Sequence, residues 1–123
     1  MSFLKTMTSL FSPGGGVPRL SPTEAARRVR DGKAVLVDVR EPDEWRDGVA
    51  APAVLLPMSD LGGEQKRWKP FLEMEGGREI ILYCRSGNRS GRVARILAAQ
   101  GYHTANAGGF DEWRASGLPV EQR

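Results

Sequence analysis

Ile80-Ile81-Leu82-Tyr83-Cys84-Arg85-Ser86-Gly87-Asn88-Arg89-Ser90 decides how this chain is read. An apolar run ends at the only cysteine, and a short polar loop with two arginines follows it. A strand that stops at a cysteine, with a tight loop opening a helix behind it, aims successive backbone N–H groups and the positive helix end at the sulfur. Such a site favours a thiolate and can hold an anion beside it.

Working outward, Glu79 to Tyr83 reads as a strand and Ser90 to Gln100 as a helix, with Val93, Ile96, Leu97 and Ala94 turned to a sheet and Gly101 as its C-terminal cap. Upstream, Val17-Pro18-Arg19-Leu20 makes a short first strand. Ser21-Pro22-Thr23-Glu24 is a capping box with proline at the first helical position, opening a helix over about residues 22–31. Ala34 to Asp38 is a continuous apolar run of strand length, as a buried parallel strand requires. A short helix opens at Glu41-Pro42-Asp43-Glu44-Trp45, Ala53 to Leu56 is a third strand, and residues 59–75 hold one or two short helices interrupted by Pro70. Tyr102 to Asn106 and Gly109 to Ser116 supply a weaker fifth strand and a last helix. Strands alternating with helices predict an α/β fold of three layers, a mostly parallel five-stranded sheet with helices on both faces. Ligands sit at the carboxyl ends of the strands in such sheets, where Cys84 stands.

With 123 residues, 40% of them hydrophobic, the chain fits one domain around a single core. We divide it into a flexible segment over residues 1–16, within which residues 2–11 can form an amphipathic helix, and a folded domain over 17–123. One cysteine cannot form an internal disulfide, and nothing marks an oxidising compartment, so the expected location is cytoplasmic. No apolar run is long enough to span a bilayer, and the N-terminus makes a poor signal peptide. The net charge of +3 comes from dispersed arginines without a basic run or basic-aromatic interleaving, which excludes a nucleic-acid surface and fits a small anion. No metal or cofactor site is expected.

The run from Cys84 to Ser90 resembles the active-site loop of the rhodanese (thiosulfate sulfurtransferase) family, in its single-domain type. Leu36-Val37-Asp38-Val39-Arg40 with Glu41 and Glu44-Trp45 resembles that family's first signature. Gly108-Gly109-Phe110, Trp113, Gly117 and Pro119 resemble its closing one. Ordered signatures across about residues 18–120 carry more weight than one loop. The chain departs from the family at Val49, where members usually carry a histidine after glycine. Phosphatases and arsenate reductases share the fold, but phosphatase loops place five residues between cysteine and arginine. Here four, Arg85 to Asn88, separate Cys84 from Arg89.

The resemblance implies a Cys84 persulfide that carries a sulfane sulfur from thiosulfate or another small anionic donor to an external thiol, a thiol protein or cyanide. Its loop amides, from Arg85 through Ser86, Gly87, Asn88, Arg89 and Ser90, would stabilise the terminal charge. Arg85 is expected to point freely into the mouth and attract the donor. Arg89 is expected to brace the loop on Asp38 or Glu44, and Arg40 can face either way. Gly87 is placed where positive φ lets the amides converge, and Ser86 and Ser90 can donate hydroxyl bonds. His103 reads as an edge residue, and at least two of Trp45, Trp68 and Trp113 as core. A carrier or regulatory module with little turnover is the alternative, and a phosphatase or arsenate reductase the more distant one.

Overall fold

A computed structural model describes residues 16–123 of the chain. The expected amphipathic stretch 2–11 and almost all of the expected flexible segment lie outside the described residues. Helix α1 (Pro22–Arg30) starts as its sequence dictates, with Ser21 Oγ accepting from the Glu24 N–H at 3.1 Å. The reciprocal half of the box is missing because the Glu24 carboxylate turns to Arg27 and Arg28, at 2.6 and 2.8 Å. Strand β1 (Ala34–Asp38) leads into a 3-10 helix (Pro42–Asp47), then β2 (Val49–Ala50) and β3 (Val54–Leu55). The stretch after Pro57 divides into α2 (Met58–Leu61) and α3 (Trp68–Glu75). Pro70 does not interrupt a helix; it lies in the first turn of α3, where a backbone N–H has no helical partner to lose. The chain continues through β4 (Glu79–Cys84), α4 (Asn88–Ala99), β5 (Thr104–Gly109), α5 (Phe110–Ala115) and β6 (Val120–Glu121).

The main sheet has the order β3-β1-β4-β5 with every pairing parallel, so it holds four strands and not the expected five. The missing one, Val17–Leu20, is reduced to a single parallel bridge between Arg19 and Asn106. Its main chain exchanges two bonds with Asn106, but Pro18 has no N–H with which to extend the ladder. A small antiparallel pair, β2 with β6, was not anticipated because two-residue strands are too short to show a period. Val49, standing where the family's histidine is expected, is buried there and pairs with Glu121.

Side chains alternate across β4, and that alternation builds both layers. Ile80, Leu82 and Cys84 face α2, α3 and α4, packing with Leu61, Trp68, Phe71, Val93, Ala94 and Leu97. Ile81 and Tyr83 face α1 and α5, packing with Ala25, Phe110 and Trp113. On α4 the stripe is Ser90, Gly91, Val93, Ala94 and Leu97; Ile96, expected against the sheet, is 39% exposed because it falls at the edge of that stripe. All three tryptophans are buried, and Trp68 and Trp113 donate their indole N–H to the carbonyls of Pro57 and Pro119.

Candidate active site

Cys84 is the last residue of β4, and its side chain lies on the α4 face, 1% exposed. The register between β4 and β5 shifts between Leu82 and Cys84, which turns the strand end into the loop. Gly87, at φ +102°, makes the reversal that brings its N–H to within 3.0 Å of Cys84 Sγ and starts α4. Burial opposes ionisation, but the Ser90 hydroxyl and the N–H groups of Ser90, Gly87 and Ser86 outweigh it and pull the Cys84 thiol below its usual value. Ser86 and Asn88 are exposed on the rim. Among the described residues no cluster of His, Cys, Asp and Glu is arranged for a metal ion. His103 precedes the other end of β5, is 74% exposed and lies 3.8 Å from Glu79.

The loop is closed from behind by glycine. A side chain on Gly109 would collide with the Arg85 carbonyl and reach within 3.2 Å of Ser86 Cα, although its own φ of −112° is ordinary. Gly109→Ala is therefore expected to push the Ser86 N–H off the sulfur and to cost roughly 1–3 kcal/mol, read by urea unfolding. Unchanged stability would mean that the loop yields freely.

Glu44, on the 3-10 helix, is the loop's clamp. Arg89 forks onto it, Nη1 to Oε1 at 2.7 Å and Nη2 to Oε2 at 2.8 Å, while the Glu41 N–H donates to Oε1 and Arg85 Nε to Oε2. The Arg89 bonds, with those from Glu41 and Arg85, overcome partial burial and lower the Glu44 pKa from 4.5 to about 2. A depressed carboxylate contributes stability that is present above its unfolded value and lost as pH falls through the folded one. The stability difference between the protein and its Glu44→Gln variant is expected to be full above pH 4.5 and to vanish towards pH 2, read from urea midpoints. A difference that stayed constant over this window would remove Glu44 as the clamp.

Arg85 is not free. Its guanidinium is 56% exposed but lies 3.2 Å from Glu44 and 3.5 Å from Asp47. The two arginines at the mouth thus face two carboxylates, so steering by Arg85 is largely cancelled, and the loop amides remain as the attraction for an anion. Arg40 departs from expectation as a ligand for the donor: it is 1% exposed and its fork is spent inside the protein. It holds both oxygens of Asp38, with Nη2 to Oδ2 at 2.7 Å, and donates to the carbonyls of Gly48 and Glu44 at 2.7 and 3.2 Å. Tyr83 closes this network by donating to Asp38 at 2.6 Å and accepting from the Ala50 N–H at 2.9 Å. Burial beside Asp38 pushes the Tyr83 hydroxyl far up, so it stays protonated.

Asn106, on β5, was not among the expected site residues. It donates from Nδ2 to the Gly87 carbonyl at 3.0 Å, which ties the loop to the sheet. The available signal was an asparagine inside a strand, a residue that strands disfavour unless its side chain has a partner.

A parallel α/β sheet with a buried cysteine at a strand end, enclosed by loop amides and a helix start, defines a cysteine-loop domain. The rhodanese-like domain family model matches residues 21–116, and the chain belongs to that family. A protein of Allochromatium vinosum named sulfurtransferase is 33% identical over 107 residues, covering 85% of this chain and 94% of its own. A transcriptional regulator of helix-turn-helix type from Mycobacterium tuberculosis is 31% identical over 116 residues, covering 92% of this chain, which spans 47% of the regulator's length. The crystal structure of a rhodanese-related protein from Thermoplasma volcanium superposes with a TM-score of 0.72 at 25% identity, covering 86% of this chain and 99% of that one. No helix among the described residues is long and apolar enough to cross a membrane.

Proposed function

We propose that the domain is a sulfurtransferase that carries sulfane sulfur as a persulfide on Cys84. Family membership and a relative named sulfurtransferase support sulfur transfer in general. The observation that carries the finer reading is the close approach of the Gly87 N–H to Cys84 Sγ, 3.0 Å, in a loop with four residues before Arg89. A ring this tight suits one added sulfur atom better than a tetrahedral phosphate.

In the first half-reaction the Cys84 thiolate attacks the outer sulfur of an anionic donor such as thiosulfate. The donor's S–S bond breaks, sulfite leaves with the electron pair, and the negative charge moves to the outer sulfur of Cys84–S–S⁻. Loop amides and the start of α4 stabilise that charge without reorganising. In the second half an acceptor thiolate, or cyanide in an assay, attacks the outer sulfur, and the electron pair returns to Cys84 Sγ. No other cysteine is present in the 123 residues, so the acceptor thiol comes from outside them.

Mass spectrometry after incubation with thiosulfate tests this reading. The expected result is one added sulfur on Cys84, removed by cyanide or a thiol. A protein that never loads would overturn it. The match to less than half of a regulator favours a second reading, a carrier or regulatory module, which loading with negligible turnover would support. Hydrolysis of an aryl phosphate, lost in Cys84→Ser, would instead mark a phosphatase.

A further inference from the structure

The carboxamide of Asn106 has its direction set by two main-chain groups of opposite sign. Nδ2 donates to the Gly87 carbonyl and Oδ1 accepts from the Gly108 N–H, each at 3.0 Å. A carbonyl cannot donate and an N–H cannot accept, so a flipped carboxamide would lose both bonds. Oδ1 is thereby turned to Ser90, whose Oγ is 2.8 Å away. An amide oxygen carries no hydrogen, so Ser90 is the donor, and its hydroxyl has a single hydrogen to give. The same Oγ is 3.4 Å from Cys84 Sγ. While the hydrogen points to Asn106, Ser90 offers the sulfur only lone pairs, which suit a thiol S–H and oppose a thiolate.

We propose that Asn106 is a positioning residue for the nucleophile: it holds the Ser90 hydroxyl hydrogen away from the Cys84 thiol and yields it to the sulfur when Cys84 ionises. The thiol proton leaves to solvent, and the Ser90 proton changes only its torsion. The further step rests on the persulfide reading. Once Sγ is the uncharged inner sulfur, the charge faces the loop amides and the Ser90 hydroxyl returns to Asn106. The relay thus disfavours the bare thiolate and favours the loaded form.

Other charges surround the site. Arg85 and Arg89 with Glu44 lie on the loop side, and Asp38 with Arg40 at the end of β1. Arg19 with Glu112 lies beside Gly108, and Arg95 lies over Gly91. A double-mutant cycle between Asn106→Ala and Ser90→Ala leaves all of them in place, so their fields cancel.

The readout is thiolate absorbance against pH, with Cys84→Ser as the baseline. Asn106→Ala is expected to lower the Cys84 midpoint by about half a pH unit more with Ser90 present than with Ser90→Ala, roughly threefold more thiolate below the midpoint. Equal displacements in both backgrounds would overturn the relay and leave Asn106 as a fastener of Gly87. If Asn106→Ala does not fold, the side-chain carboxamide resonances of Asn106 supply the test. They are expected to move with the thiolate midpoint, and to lose that movement in Ser90→Ala; a flat resonance in the unmutated protein sinks the proposal. None of these curves requires a sulfur donor, so the relay and the sulfurtransferase reading fail separately.

Discussion

Cys84→Ser is expected to abolish sulfur loading and to lower turnover by at least about a thousandfold, while stability changes by less than about 1 kcal/mol. The split follows from what the site asks of the sulfur. A serine hydroxyl fits the space left by the thiol and can still accept from the Gly87 N–H, which stands at 3.0 Å from Sγ. Glu44 still clamps Arg89, and the loop keeps its shape. What disappears is a thiol whose ionisation the surrounding N–H groups favour and that can bond to the transferred sulfur. With one cysteine in the chain, no other thiol can substitute. Mass spectrometry and thermal unfolding of the same sample check both halves. Residual loading would place the acceptor atom elsewhere, and a large fall in stability would make Cys84 first of all a packing residue.

The largest loss of stability is expected from Asp38→Ala, about 3–5 kcal/mol by urea unfolding. Asp38 and Arg40 are 0% and 1% exposed, so removing the carboxylate leaves a guanidinium buried without its counter-charge. The stack of Arg40 over the Phe110 ring, 4.4 Å to the centroid, attracts the cation but cannot replace two hydrogen-bond acceptors. The Tyr83 hydroxyl loses its acceptor as well, which adds a second unsatisfied group. The damage extends to the loop, because Arg40 also holds the Glu44 carbonyl and Glu44 holds Arg89. Sulfur loading is therefore expected to weaken in any Asp38→Ala protein that still folds. A loss below about 1 kcal/mol would mean that water reaches Arg40.

The parts of this protein legible in its sequence are those whose signal is local. Ala34 to Val37 and Ile80 to Tyr83 are apolar runs, and each lies within a central strand that is almost wholly buried. Gly87 was legible because a turn that converges amides on one atom needs positive φ. The first strand failed at Pro18, and Ile96 fell outside the buried stripe. In both cases the local pattern was sound, and the sheet edge or the helix orientation overruled it.

The sequence by itself determined the alternation of the main parallel strands with helices, the family resemblance, and the placement of a cysteine before an amide-rich turn, since all three follow from residue types along the chain. Only the tertiary structure decided which carboxylate each arginine takes. Asp38 and Glu44 were equal candidates for Arg89 by chemistry. The fold gives Glu44 to Arg89 and Arg85, and Asp38 to Arg40. It also brings Asn106 from β5 onto Gly87 and Ser90. Hydrogen bonds are directional and act over about 3 Å, so partners far apart in the chain are chosen by where the backbone sets them down.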